Sequence, residues 1–440
     1  MGSTAVSAPD VAHRLVLRLA AARRQTDEVF ELVRPDALFD RPIDERHRLA
    51  FYIGHLEAFD WNLLREPLVG GPSFAPDLDR LFAFGIDPLG TARPSDAPSD
   101  WPRIGEIERY RGRARRAIDA GLEALAPRIG AAQEPCADDA PSRLLNMAIE
   151  HRLMHAETLA YLLHRLPLDR KRPGAPVDAA PSVPFAPAQV EIPAGSVTLG
   201  RIRDGDEEFG WDNEYDTLDV TLLPFVIDRH MVTNGQFARF VSAGGYEDRS
   251  HWADAEWAWK CALGLEHPTF WTRGRDGFGL RAMFGELPLP LDWPAYVSHA
   301  EASAYARWAG MALPTEEQWQ RAALGVGNPT IGGELVDGNF DFRRWDPAPV
   351  NAAANNLSAF GVVGLVGNGW EWTASVFEPL PGFQPSPHYR GYSADHFDGR
   401  HYTIKGGSPR TAACMLRPSF RNWFQPHYPY VYAGFRCVSQ

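Results

Sequence analysis

The chain has 440 residues, with 44 Lys plus Arg against 56 Asp plus Glu and a formal net charge of −12. Its 45% hydrophobic and 23% charged residues are the make-up of a folded chain of two or three domains, not of a disordered one. A polyanionic surface argues against general binding to nucleic acid or to an anionic membrane, because both repel it. No run approaches the roughly 18 apolar residues of a transmembrane helix. The first residues, MGSTAVSAPDVAHRLVLRLAAARR, lack a signal-peptide core ahead of Arg14 and Arg18, and Val6 stands where myristoylation wants Ser or Thr. Cys136, Cys261, Cys414 and Cys437 lie far apart without a CxxC. That spacing fits a reducing, cytoplasmic setting and leaves His and carboxylate as ligands for any metal.

In chain order, residues 10–33, 45–64, 105–126 and 141–166 carry apolar groups at helical spacing, which predicts four helices in an antiparallel bundle. The 84–103 loop (FGIDPLGTARPSDAPSDWPR) is long and Pro-rich, as functional loops often are. Residues 167–192 are punctuated by proline, which withdraws backbone donors and stiffens the chain. A linker over 169–186 therefore separates a helical domain, 1–168, from a second domain, 187–440. Beyond the linker, VTLLPFVIDRHMV and YVYAGFRCV read as strands, and VSHAEASAYARWAG and PTEEQWQRAALG as helices. Thr315, with Gln318 three residues on, has capping-box spacing. The fold class is α+β in two domains.

In MAIEHRLMHAETLAYL, His151 and His155 are four apart and share one helix face with Met147, Leu159 and Leu162 on or beside it. A second helix offers His55 in FYIGHLEAF, with Tyr52 and Phe59 on its inner side. Three inward histidines from two helices can cap one face of a metal ion and leave positions open for substrate and dioxygen. Neutral imidazole suits Fe(II), Zn(II) and Cu(II) alike. The competing reading is a pair of hydrogen-bonded core histidines. A zinc-protease reading is weak, because HRLMH lacks the Glu that would serve as general base. Glu157 points to another face and reads as a supporting or structural group.

The segments FGWDNEYDTLDVTLLPFVIDRHMVTNGQFARFVSAGGY, LPTEEQWQRAA, GLVGNGWEWTAS and YAGFRCV together resemble the formylglycine-generating-enzyme, or sulfatase-modifying, fold. A helical domain with His…His-x-x-x-His-x-Glu in front of that fold resembles the ergothioneine-biosynthesis sulfoxide synthase (EgtB) family. The resemblance implies a DinB-like four-helix bundle followed by a formylglycine-generating-enzyme or C-type-lectin-like domain. It implies that His55, His151 and His155 hold Fe(II). It also implies that, with O2 as co-substrate, a chalcogen donor is joined to C2 of the imidazole of hercynine, the trimethylated betaine of histidine. Formylglycine generation on the same fold uses a reactive cysteine pair, and neither Cys414 nor Cys437 stands in the matching context.

Carried onto this chain, the family's pattern assigns Asn422 to the hercynine carboxylate and puts the rings of Trp423 and Phe424 near its quaternary ammonium, a cation–π contact. Aromatics there can equally be packing residues. Members that use γ-glutamylcysteine clamp it with Asp and Arg, where this chain has Phe424 and Tyr428. The Arg-rich RGxLSRP loop is replaced by PLGTARPSDAPSDWP, with Arg93 and Arg103 remaining. Flat aromatic surfaces with Tyr428, His427 and Gln425 suit a sugar ring, which points to a selenosugar donor and the selenoneine synthase (SenA) branch. RLAFYIGHLEAFDWNLL resembles that branch as well. The alternative is a hercynine sulfoxide synthase of ergothioneine biosynthesis using γ-glutamylcysteine or cysteine, and residues 377–398 also resemble the ovothiol-type enzymes. The family's proton-donating Tyr maps to Tyr389 first and Tyr392 second, a phenol being protonated at neutral pH. Met154 stands where the family often has Gln before the last His, so Arg152 or backbone would take over its contact. A metal-free scaffold on a lectin-like fold is the reading from a different class.

Overall fold

The computed structural model describes residues 8–83, 94–129, 140–174, 186–203, 209–275, 277–323, 338–353 and 355–439. Arg93 with the first half of the 84–103 loop, Cys136 and most of the expected linker lie outside the described residues. The chain divides into two units: Met1–Gly174 with Arg203–Phe209, and Ala175–Ile202 with Gly210–Gln440.

Among the described residues of the first unit the apolar spacing becomes four long α-helices and one short one: α1 (Ala8–Glu31), α2 (Leu49–Leu64), α3 (Pro76–Leu81), α4 (Ile104–Ile129) and α5 (Pro141–Arg165). Helix α2 is buried on nearly every side, which places it at the centre of the bundle. It packs on α4 and α5, while α1 packs on the same two helices. Leu56, Leu64, Ile118, Leu145 and Leu159 form part of the shared core. Helix α2 starts later than the sequence pattern suggests. Arg48 stays extended at φ −65°, ψ 151°, and its guanidinium donates to the carbonyls of Phe39 at 2.7 Å and Asp96 at 2.6 Å. Helix α5 opens on Pro141, where a missing N–H leaves nothing unpaired, and ends on Arg165, whose positive charge suits the carbonyl terminus.

Among the described residues the second unit holds four small sheets and four short α-helices joined by long turns. One sheet orders β1 (Gln189–Ile192), β4 (Phe225–Asp228) and β12 (Val438–Ser439), with β4 in the middle, and β2 (Gly195–Leu199) pairs with β3 (Leu218–Leu222). A meander joins β5 (Trp271–Gly274), β6 (Gly277–Ala282) and β7 (Gly285–Pro288). The fourth sheet runs β10 (Asn422–Phe424), β9 (Tyr402–Lys405), β8 (Trp370–Val376), β11 (Ala433–Gly434). The helices are α6 (Asn234–Ser242), α7 (Asp254–Leu263), α8 (His299–Trp308) and α9 (Glu316–Ala322). Ile192, Phe225, Ile227, Trp319 and Leu365 share one core cluster.

The Thr315 cap forms as expected: Gln318 N donates to Thr315 Oγ1 at 3.2 Å and Thr315 N to Gln318 Oε1 at 2.9 Å. VTLLPFVIDRHMV is two strands rather than one. Pro224 offers no donor to a ladder, and the chain breaks there with Leu223 exposed. YVYAGFRCV gives only β11 and β12, because Arg436 between them turns inward, donating to Glu371 from Nε and Nη2 at 2.6 Å each. Among the described residues no helix is long and apolar enough to cross a membrane.

Candidate functional site

His55 on α2 and His151 and His155 on α5 meet inside the bundle. All three are buried, and one potential ligand atom from each lies within 4.8 Å of the others. His55 Nε2 and His155 Nε2 are 3.3 Å apart. His55 Nδ1 lies 2.7 Å from the carbonyl oxygen of Phe82, which makes Nδ1 the protonated nitrogen and leaves the Nε2 lone pair facing the cluster. Two nitrogens each about 2.1 Å from one ion stand about 3 Å apart at a right angle, so the donor set fits a transition-metal ion. Among the described residues no carboxylate joins the group. Three neutral nitrogen donors suit a divalent first-row ion and leave its other positions to substrates.

The surrounding rings hold the imidazoles in place. Phe59 stacks on His151 at 3.4 Å and 10°, and Phe51 on His55 at 5.0 Å and 21°. Tyr52 is 5.9 Å from His155. Met154 is half-buried one residue before His155. Gly54 explains how Phe82 comes close: a Cβ there would lie 2.5 Å from the Phe82 ring. A helix-interior Gly costs up to about 1 kcal/mol relative to Ala, and here it admits the residue whose carbonyl orients His55. Gly54→Ala is expected to push Phe82 off its seat and weaken metal binding by about 10–100-fold, as loss of a ligand's outer hydrogen-bond partner does. Metal titration of the purified variant checks this. Unchanged affinity would separate Phe82 from the site.

Burial keeps the imidazoles neutral. It lowers the His55 pKa to about 4. Burial and then the neighbouring imidazoles hold His151 and His155 well below the usual range. The unfolded chain binds a proton at each His as pH falls through about 6.5, and the folded chain does not, so stability of the metal-free protein falls with falling pH. For His55 alone the loss accrues between pH 6.5 and about 4, and amounts to roughly 3 kcal/mol. Denaturant titrations across that window check it, and a flat profile would contradict it.

Arg152 does not take over the contact that Met154 cannot make. It is fully buried and committed to α2, donating from Nη2 to Asp60 at 2.6 Å, to Glu57 at 3.1 Å and to the Leu56 carbonyl at 3.0 Å. Arg115 on α4 donates to the same Glu57 at 2.7 Å and to Asp27 on α1 at 2.7 Å. Burial alone would raise the Glu57 carboxyl pKa, but Arg152 and Arg115 hold it well below the ordinary value. Of the two loop arginines, Arg103 is exposed just ahead of α4. Sequence reading missed Asp96, which binds the side chains of Arg41, Arg48 and Trp101 and so ties the end of the loop to the start of α2.

The other singled-out residues lie in the second unit. Trp423 on β10 pairs with Thr403 and Phe424 with Tyr402. The Asn422 side-chain oxygen accepts from Trp423 N at 2.8 Å, which turns the amide NH2 the other way. One face of the Trp423 ring is taken by Phe377 at 4.2 Å and 10°, and Tyr392 meets it edge-on at 5.3 Å. Phe424 and Tyr428 stack at 5.5 Å and 7°. His427 stacks on Trp259 of α7 at 4.9 Å. Tyr392 is buried and stacks on Trp211 at 4.0 Å, while Tyr389, 5.6 Å from Tyr392, is half-buried. Burial pushes the Cys437 thiol pKa well up, which disfavours the thiolate. A cavity of about 300 Å³ in this unit is bordered by Met231, Asn339, Arg343 and Asn356, none of them singled out in the sequence.

Two family models match the chain. The sulfatase-modifying factor enzyme 1-like domain covers residues 177–440 and the DinB superfamily covers residues 18–159. A protein described as hercynine oxygenase from Mycolicibacterium thermoresistibile is 36% identical over 68% of this chain and 70% of its own length. One from Mycobacterium tuberculosis is 34% identical over 68% of this chain and 72% of its own. Ergothioneine biosynthesis protein 1 of Neurospora crassa is 27% identical over 93% of this chain and 55% of its own.

Proposed function

We propose, from the fact that this chain belongs to the EgtB-like hercynine oxygenase family, that it is an Fe(II)- and O2-dependent enzyme forming a carbon–chalcogen bond at imidazole C2 of hercynine. The observation that carries this reading is the buried cluster of three neutral imidazoles from two helices. His55, His151 and His155 hold the iron, whose contribution is redox activation of O2 beside the two substrates. The balance is that hercynine C2–H, a selenol or thiol R–XH and O2 give C2–X(=O)–R and water. C2–H and X–H break, C2–X forms, and O2 takes up four electrons.

The remaining residues bind and orient. The Asn422 amide NH2 donates to the hercynine carboxylate. The Phe424 ring, on the same face of β10 as Asn422, meets the trimethylammonium group, while Trp423 points from the opposite face and packs on Phe377 and Tyr392. Phe59 and Met154 give the triad an apolar wall that excludes water. Tyr389 donates the proton, with Tyr392 behind it. The donor is a selenosugar: Phe424 and Tyr428 offer a stacked aromatic surface where a charged donor needs Asp and Arg. A thiol donor, γ-glutamylcysteine or cysteine, is the second reading, in keeping with the relative named for biosynthesis of ergothioneine, a sulfur compound.

The test is a competition. Fe(II)-loaded protein is given hercynine with equal amounts of a selenosugar, the matching thiosugar, γ-glutamylcysteine and cysteine, then air, and the products are read by mass spectrometry. A dominant hercynyl–selenium adduct is expected. A dominant γ-glutamylcysteine or cysteine sulfoxide would overturn the donor assignment, and no hercynine adduct at all would overturn the function.

A further inference from the structure

We propose that the short turn Asp212–Glu214 is the positioning device of the second unit: Asp212 sets the segment that carries Tyr389 and Tyr392, and Glu214 sets the strand that carries Asn422–Phe424. This rests on the reading above that those residues meet the substrates. The turn is a single 3₁₀ element whose three residues are all buried. Asp212 Oδ2 accepts from Ser386 N at 3.1 Å, and its Oδ1 accepts from the Ser393 hydroxyl. Ser386 and Ser393 are themselves buried and bracket the two tyrosines. Trp211, the residue before the turn, stacks on Tyr392 at 4.0 Å.

Two residues on, Glu214 accepts from Arg417 Nε at 2.7 Å and Nη2 at 2.5 Å, and from Ser419 Oγ at 2.6 Å. Those donors lie three and five residues ahead of Asn422. The two segments meet where Tyr392 stands edge-on to Trp423 at 5.3 Å, so a shift of either one changes the spacing of the pair. A core needs no buried carboxylates to be stable, and apolar packing serves as well or better. Buried polar networks with satisfied partners instead hold one geometry against its neighbours. Catalysis needs that, because a displacement of about 1 Å can cost about a hundredfold in rate. Asn213, between the two carboxylates in sequence, is 1% exposed, and its side chain has no hydrogen-bond partner among the described residues.

The experiment uses the full chain. Asp212→Asn keeps one acceptor and Asp212→Ala keeps none. Hydrogen–deuterium exchange is expected to speed up about tenfold in peptides over 386–396 in Asp212→Asn, more in Asp212→Ala, and to stay unchanged over 420–425. Ser419→Ala, which removes one bond to Glu214 and leaves Arg417 paired, is expected to give the reverse pattern. In turnover, Asp212→Asn is expected to lower kcat about tenfold with the hercynine KM within twofold and iron content unchanged. Ser419→Ala is expected to raise that KM with kcat within twofold. Exchange that rises uniformly, or kcat and KM that move together in both variants, would overturn the assignment of one segment to each carboxylate. A wild-type protein inactive on hercynine would overturn the proposed function, and the exchange pattern would still decide whether the turn positions the two segments.

Discussion

His151→Ala is expected to lose iron binding and turnover together. The imidazole is one of three nitrogen donors gathered within 4.8 Å, and two donors do not make a face of an octahedral ion. The loss should exceed the about 10–100-fold that removal of a ligand's outer partner costs. Anaerobic Fe(II) should raise the unfolding temperature of the wild type, since a ligand that binds only the folded state at a hundred times its Kd adds about 2.7 kcal/mol. The same addition should leave His151→Ala unmoved. Calorimetry with and without Fe(II), together with iron counted per chain, reads both effects. A variant that binds one iron and turns over normally would remove His151 from the centre.

Arg152→Leu is expected to be the most destabilising single change in the first unit. Arg152 is fully buried and bonded to two carboxylates of α2, and its removal leaves Asp60 buried without its cation while Glu57 keeps Arg115. Breaking one side of a buried pair costs roughly 3–5 kcal/mol, whereas replacing a whole pair by apolar residues is often neutral. Arg152→Leu combined with Asp60→Leu should therefore recover part of the loss, a coupling expected of residues in contact. Urea denaturation of the metal-free protein reads each variant. A cost below about 1 kcal/mol for Arg152→Leu would mean that the α2–α5 link is not held by this network.

The bundle and the triad were legible because both follow from local periodicity. Apolar groups at helical spacing gave the four helices, and the i, i+4 spacing of His151 and His155 put them on one face with Met147 and Leu159. The partners that tune the triad were not legible, because they come from elsewhere in the chain. Phe82 lies 27 residues beyond His55, and the only hint of it was Gly54, a residue that a helix interior does not want. Arg152 reads in the sequence as a polar neighbour of the histidines. Its burial and its commitment to Glu57 and Asp60 depend on how α2 meets α5. In the second unit, VTLLPFVIDRHMV carried its own correction in Pro224, whose missing donor splits the strand. The Asp212–Glu214 turn lies within a family motif, but its partners Ser386, Ser393, Arg417 and Ser419 are more than 170 positions away, beyond any periodicity.

The central claim is that the three-histidine centre directs O2 chemistry to C2 of hercynine. Hercynine deuterated at C2 tests it most directly, incubated with the chalcogen donors and air, with Fe(II)-loaded wild type and with His151→Ala. The account predicts an adduct that has lost the deuterium, formed by the wild type only when iron, O2 and donor are all present and absent with the variant. An adduct that keeps the deuterium, or one formed equally well by His151→Ala, would contradict it.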